Sequence, residues 1–266
     1  MSKYKQLFDL TGRAAMVTGG ARGIGRGIAQ ALSELGADVL ITDIQREVGE
    51  QTVKALQGHG GRVAFYEHDV TDEAAWERAC SEVLAQFGRF DVLVNNAGVE
   101  TASLFTDCEV EDFERVMRIN VTGTFLGIKH ALRTMSGGSG SIINLSSVAG
   151  LIGTPAHGAY HSSKGAVRSM TKAAAIEAAA LGLGIRVNSL HPAIVKTDMG
   201  DAFLSDFVRL GLVENEAAAE AQFGAMHPTG FGEVEDIACA AAYLASNAAK
   251  WVNGTELAVD GGFTAQ

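Results

Sequence analysis

Short apolar runs alternate with longer amphipathic segments along nearly the whole chain, and this alternation restricts the fold more than any other feature. The apolar runs fall at residues 14–18, 38–42, 62–67, 91–95, 141–146, 184–190 and 256–259. Helix-like stretches lie between them, among them 24–35, 73–87, 110–135, 160–181 and 233–245. The runs lack the polar positions that a strand with one wet face would carry. They therefore predict a parallel sheet covered on both sides by helices, in a doubly wound α/β arrangement. The long departure is 198–230, where Phe203, Phe207 and Phe223 predict one or two short helices inserted before the next amphipathic segment. The 266 residues hold 32 Gly but only 3 Pro, and no Ser/Gly-rich linker, charge block or repeat divides them. A single domain over 1–266 is expected. Pro155, Pro192 and Pro228 are all expected in loops.

A net charge of -10 at pH 7 argues against a protein that neutralises phosphate backbones, so nucleic acid is not an expected partner. Cys80, Cys108 and Cys239 are odd in number, far apart and in no C-x-x-C pair, which suits a reducing cytoplasm better than a disulfide or thiolate-metal framework. The first ten residues lack the apolar core of a secretory signal, and no later run approaches the roughly 18 apolar residues of a membrane span. A soluble chain with no membrane partner is expected.

Directly after the first apolar run comes Thr18-Gly-Gly-Ala-Arg-Gly-Ile-Gly-Arg-Gly27, opening into a helix. Glycines there allow a tight turn and close backbone approach to a pyrophosphate, while the helix start offers free N–H groups and a positive dipole end. The spacing through Gly19, Gly23 and Gly25 is G-x-x-x-G-x-G, and no Gly-Lys-Ser/Thr follows, so a P-loop is not expected. Arg22 and Ile24 sit within this turn. Asp43, at the end of the second run, is placed to accept hydrogen bonds from an adenosine ribose; capping the next helix is its alternative role. Its charge would repel a 2′-phosphate, which favours NAD over NADP. Arg22 and Arg46 are the residues that could reverse that preference.

Four further segments carry chemistry: Asn95-Asn96-Ala97-Gly98, Asn120, Ser146-Ser147 and Tyr160-His-Ser-Ser-Lys164. Ser147 lies 13 residues before Tyr160, and Lys164 lies four after it. With the glycine turn, these make the chain resemble the short-chain dehydrogenase/reductase family over essentially its whole length. The resemblance implies a Rossmann-type domain with a seven-stranded sheet and an oxidoreductase that uses Asn120, Ser147, Tyr160 and Lys164. A free phenol, with a pKa near 10, is too weak a base at neutral pH. Moving it to about 7 requires about 4 kcal/mol of preferential phenolate stabilisation, a load for Lys164 one helical turn away and for a cationic nicotinamide. Ser147 would hold the substrate oxygen against Tyr160, and Asn120 would anchor a water chain toward Lys164.

The resemblance also implies that Asp69 and Val70 flank the adenine and that Asn96, Ala97 and Gly98 pack along the adenosine ribose. It further places Pro192, Ile194, Val195 and Thr197 near the nicotinamide carboxamide. Ala193 stands where the family more often has Gly. Substrate contacts are expected from Ser147, Val148, His157 and Tyr160, under an apolar lid built from Met199, Phe203, Leu204, Phe207 and Met226. His157 reads equally as a solvated loop histidine, and Glu100 raises the same question of facing the substrate, with a solvated loop carboxylate as the first reading. His157 and His161 share a helix face but lack the Glu of a zinc motif, so no catalytic metal is expected.

Segments 158–168, 186–192 and 259–266 most resemble bacterial secondary-alcohol and hydroxysteroid dehydrogenases. The implied activity is NAD-dependent interconversion of a hydrophobic secondary alcohol and its ketone. A 3-oxoacyl reductase, or an NAD(H) sensor without turnover, is the alternative. The resemblance implies a homotetramer built through the two longest amphipathic segments. In such relatives the C-terminal residue can help hold a structural divalent cation, a role for which Gln266 is in place.

Overall fold

A computed structural model describes residues 2–58, 60–135 and 139–265. Gln266, and with it any part in holding a cation, lies outside the described residues. Seven strands form the sheet: β1 (Ala14–Thr18), β2 (Asp38–Asp43), β3 (Val63–Glu67), β4 (Val92–Asn95), β5 (Gly140–Leu145), β6 (Ile185–Pro192) and β7 (Glu256–Val259). All neighbours pair in parallel, in the order β3-β2-β1-β4-β5-β6-β7. Every residue of the inner strands β1, β4 and β5 is buried, as expected of strands with helices on both faces. The edge strands β3 and β7 are only partly covered.

Ten helices accompany the strands among the described residues: α1 (Lys3–Phe8), α2 (Gly23–Glu34), α3 (Arg46–Leu56), α4 (Glu73–Phe87), α5 (Val110–Met117), α6 (Gly123–Thr134), α7 (Gly158–Ala180), α8 (Asp198–Arg209), α9 (Glu216–Ala225) and α10 (Val234–Ala245). On one face of the sheet, Ile28 and Leu32 of α2 pack with Ile237 and Ala241 of α10. On the other, Trp76 and Val83 of α4, Leu126 and Ile128 of α6 and Ala175 of α7 form the second core layer. Each fully buried Leu or Ile contributes about 1.5–3 kcal/mol relative to exposure. The α2–α10 contact is close enough that a Cβ on Gly27 would stand 2.1 Å from Val234 Cγ1.

Three features differ from the sequence reading. α1, ahead of the first strand, is a helix the sequence did not announce, and it buries none of its residues. The segment 110–135 is not one α-helix: a π-helical stretch, Arg118–Thr122, separates α5 from α6 and turns Asn120 inward to 1% exposure. Pro192 is not in a loop but is the last residue of β6, opposite Val259. Its missing N–H falls where the ladder ends, and its carbonyl accepts from Ser147 Oγ at 3.2 Å.

The order of the strands reverses between β1 and β4. Loops leaving their carboxyl ends diverge there and open a crevice, where open α/β sheets bind ligands. No helix among the described residues is long and apolar enough to cross a membrane.

Candidate active site

The glycine turn is built around contacts that a side chain would block. Gly19 has φ +61°, and a Cβ there would stand 2.8 Å from Ala97 Cα; one on Gly25 would stand 2.3 Å from the Gly19 carbonyl oxygen. Asn96 Nδ2 donates to the carbonyls of Thr18 (2.9 Å) and Gly19 (3.0 Å), which ties the loop after β4 to the loop after β1. Helix α2 has no side-chain cap at its N-terminus, where Gly23, Ile24 and Gly25 line the crevice. An uncapped twelve-residue helix behind a bare backbone turn is a donor set suited to a dinucleotide pyrophosphate.

Asp43 is buried at the edge of this crevice. Its Oδ2 accepts from the Ala21 N–H (3.2 Å) and its Oδ1 from that of Gln45 (3.0 Å). The carboxylate is thereby held in place. It is not the cap of α3, whose N-cap is Gln45. Arg22 pairs with Asp198 at 3.3 Å, and Arg46 pairs with Glu67 at 2.8 Å and Glu50 at 3.7 Å. Both guanidiniums are thus engaged by carboxylates.

The crevice has a volume of about 890 Å³. All the expected dinucleotide residues line it: Gly19 to Gly25 in part, Asp43, Asp69 with Val70, Asn96 to Gly98, and Pro192 to Thr197. Ser147, Val148, His157, Tyr160, Lys164, Met199 and Phe203 line it too. Asn120 does not. Its Oδ1 accepts from the Val99 N–H at 2.9 Å, and its Nδ2 donates to the Val99 carbonyl (2.8 Å) and Ser163 Oγ (3.0 Å). The amide therefore clamps the loop after β4 to α7. A Cβ on Gly98 would meet Asn120 Oδ1 at 3.2 Å and Lys164 Nζ at 3.6 Å, so the three positions converge.

Helix α7 presents Tyr160 and Lys164 on one face, as their i, i+4 spacing requires. Lys164 Nζ donates to the Leu145 carbonyl at 2.8 Å and stands 5.4 Å from the centre of the Tyr160 ring. Burial lowers its pKa to about 8, with Glu100 opposing. Burial also raises the Tyr160 phenol above its ordinary value, the nearby Glu100 charge adds to this, and a side-chain hydrogen bond with Ser147 opposes both. Burial and the Glu100 charge therefore work against the phenolate. Ser147 Oγ also accepts from the Ala149 N–H at 3.1 Å. His191, which no motif marks as a site residue, fixes the Ser147 backbone: its Nδ1 lies 2.9 Å from the Ser147 carbonyl and its Nε2 2.8 Å from Ser189 Oγ.

Glu100 is not a solvated loop carboxylate. It lines the crevice, and its Oε1 is buried without a hydrogen-bond partner. Burial, then the charge of Asp206, push its pKa from 4.5 up to about 7, with Lys164 opposing. A folded-state value above the unfolded one means the folded chain binds more protons between these two values. The contribution to stability is therefore complete below about pH 4.5 and is lost as pH rises through about 7. Glu100→Gln is expected to flatten the fall in thermal midpoint of the apoprotein between pH 5 and 8, measured by scanning calorimetry; an unchanged pH dependence would mean that the carboxyl is solvated.

His157 is also buried, at 1% exposure, rather than solvated. Its ring stacks on Phe203 (4.7 Å) and Phe207 (5.7 Å). Phe207 belongs to this packing and, like Leu204 and Met226, is not part of the crevice wall. Phe223, His227 and Phe263 do line it. They come from separate elements of the chain, and only the folded insert and C-terminus bring them together. His161 is committed elsewhere, with Nδ1 2.6 Å from the Ala149 carbonyl and Nε2 accepting from the Thr154 N–H at 3.1 Å. Among the described residues, no cluster of three His, Cys, Asp or Glu could hold a metal ion.

A family model described as enoyl-(acyl carrier protein) reductase matches residues 19–264. An NADP-dependent (R)-specific alcohol dehydrogenase from Lentilactobacillus kefiri is 37% identical over 97% of this chain and 98% of its own. The chain belongs to the short-chain dehydrogenase/reductase family. A cyclopentanol dehydrogenase from Comamonas testosteroni is 38% identical, covering 95% of this chain and 97% of its own. The solved structure of a levodione reductase superposes with a TM-score of 0.90 at 32% identity, over 96% of this chain and 98% of that one. As a short-chain dehydrogenase/reductase, the protein is an oxidoreductase of a family that uses a nicotinamide cofactor, and its crevice has the glycine cradle for one.

Proposed function

We propose that the protein interconverts a secondary alcohol and its ketone by NAD-dependent hydride transfer, with Tyr160 as the acid/base. The observation that carries this reading is the convergence of Ser147, Tyr160 and Lys164 on the same crevice as the glycine cradle and Asp43. A bound oxidised nicotinamide would supply the hydride acceptor and a positive charge. Ser147 Oγ donates a hydrogen bond to the substrate oxygen, and Tyr160 Oη takes the hydroxyl proton as the carbinol carbon loses its hydride. Tyr160 enters this step as the phenolate, which the Lys164 ammonium, in a dry site, stabilises until the transferred proton converts it to the phenol. Asn120 holds the loop and α7 in register and leads protons toward Lys164. Met199, Phe203 and Phe223 give the crevice an apolar side, which suits the hydrocarbon part of such a substrate. Similar proteins are named for alcohols and for cyclopentanol, in support of this class. Initial rates of reduced-cofactor formation across a panel of secondary alcohols test the reading; cofactor binding with no turnover of any member would replace it with a sensor.

The preference for NAD rests on Asp43, which stands where an adenosine ribose would offer its hydroxyls, while Arg22 and Arg46 are paired with carboxylates. One similar enzyme is NADP-dependent, so membership of the family does not by itself decide the cofactor. Hydrogen bonds to a charged group contribute about 1.5–3 kcal/mol, so Asp43→Ala is expected to lower kcat/KM for NAD by about 10- to 100-fold. The same variant should lose little or gain with NADP. Equal losses with both dinucleotides would remove Asp43 from the choice.

The reading includes a homotetramer in a reducing cytoplasm. Phe113 on α5, Phe125 on α6, and Ile176 and Leu181 at α7 are large apolar residues left exposed in the single chain. Cys80, Cys108 and Cys239 are free thiols. Light scattering is expected to give four times the mass of one chain, and Ile176→Arg to reduce it.

A further inference from the structure

We propose that Glu100 and His157 form a polar subsite beside the alcohol position, and that the substrate is a secondary alcohol carrying a second hydroxyl, with the hydroxyketone as its product. The inference rests on the alcohol dehydrogenase reading and narrows its substrate class. The two residues come from different segments that are joined by the backbone. The Ser103 N–H donates to the Ala156 carbonyl at 2.7 Å, and Ser103 bridges His157 in parallel pairing. Ala156 adopts φ +68°, a left-handed conformation that costs an alanine of order 1 kcal/mol, and it sets the direction from which His157 enters. Helix α8 closes the same corner, with Phe203 and Phe207 against the imidazole and Arg209 Nη2 donating to the Ala102 carbonyl at 3.0 Å.

Each residue presents an unpaired polar atom. Glu100 lines the crevice and is only partly buried, but its Oε1 is buried and accepts nothing. His157 Nδ1 lies 3.1 Å from the Pro155 carbonyl, which can only accept, so this nitrogen carries the ring proton. Burial lowers the His157 pKa and keeps the ring neutral. Its Nε2 is therefore a lone-pair acceptor, and it too is buried without a partner. Phe203 packs tilted against the ring at 4.7 Å and lines the crevice beside it. A purely apolar ligand pressed into this corner leaves both atoms unpaired, at about 1–3 kcal/mol each. A hydroxyl donates its one proton to the imidazole and accepts from the Glu100 carboxyl in its protonated form. Sites built to bond a substrate hydroxyl discriminate strongly against the analogue that lacks it.

The test compares kcat/KM for trans-cyclohexane-1,2-diol and cyclohexanol, with NAD and with NADP, in the wild type and in Glu100→Leu, Glu100→Gln and His157→Phe. The wild type is expected to favour the diol by about 10-fold or more. Glu100→Leu should remove that preference, lowering the ratio of the diol value to the cyclohexanol value by about 10-fold. Glu100→Gln, which keeps hydrogen-bonding capacity, should retain most of it, and His157→Phe should reduce it. Pinacol, a diol with no carbinol hydrogen, gives a readout without turnover. Calorimetry should show it binding the wild-type NAD complex about 10-fold more tightly than the Glu100→Leu complex. Turnover of both alcohols with a ratio unchanged by Glu100→Leu, or pinacol affinity unchanged by it, would overturn the subsite alone. Absence of turnover of both by the wild type with either dinucleotide would overturn the dehydrogenase reading and the subsite with it.

Discussion

Tyr160→Phe is expected to lower kcat/KM for alcohol oxidation by about 10³-fold, with dinucleotide affinity and thermal midpoint little changed. The substitution removes one oxygen from a side chain whose ring is held by α7 and by the Lys164 ammonium 5.4 Å from its centre. The ring still packs, but the crevice loses the group proposed to take the hydroxyl proton. Because burial and the Glu100 charge raise the phenol pKa, Tyr160 becomes a phenolate able to accept the substrate proton only when the positive charges around it are in place. Steady-state kinetics with fluorescence titration of NADH separates the two effects. A variant that binds NADH normally and turns over within tenfold of the wild type would remove Tyr160 from the reaction.

Gly25→Ala should abolish dinucleotide binding and lower stability by about 3 kcal/mol or more, a fall in midpoint of roughly 10 °C for a chain of this size. Its Cβ would sit 2.3 Å from the Gly19 carbonyl oxygen and 2.4 Å from Asn96 Nδ2, which itself bonds the Thr18 and Gly19 carbonyls. Neither neighbour can retreat without opening the join between the loops after β1 and β4. Gly224→Ala in α9 is the matched control, because nothing lies within 4 Å of its added Cβ. It should raise stability by up to about 1 kcal/mol through helix propensity. Similar midpoints for the two variants would mean that the turn tolerates a side chain.

The strands and the glycine turn were legible in the sequence because their signals are local. A run such as Ala14–Thr18 is apolar on both faces, and the glycines follow it directly. Tyr160 and Lys164 were legible because a fixed helical spacing puts them on one face. What the sequence hid depends on distant segments. Glu100 looks like any loop carboxylate until α7, α8 and the loop after β4 close around it. His157 reads equally as solvated or packed until Phe203 and Phe207 stack on it. Asn120 sits in a continuous amphipathic segment, and no pattern marks the π-helical turn that brings its amide to Val99. Pro192 shows the limit of a residue rule: a strand keeps it because it stands where pairing ends.

Transfer of a labelled hydride tests the central claim most directly. The protein, incubated with NAD and cyclohexanol or trans-cyclohexane-1,2-diol deuterated at the carbinol carbons, is expected to yield reduced cofactor carrying one deuterium by mass spectrometry. Tyr160→Phe, under the same conditions, should yield almost none. A protein that binds NADH at the crevice yet transfers no deuterium from either alcohol to NAD or NADP would contradict the account.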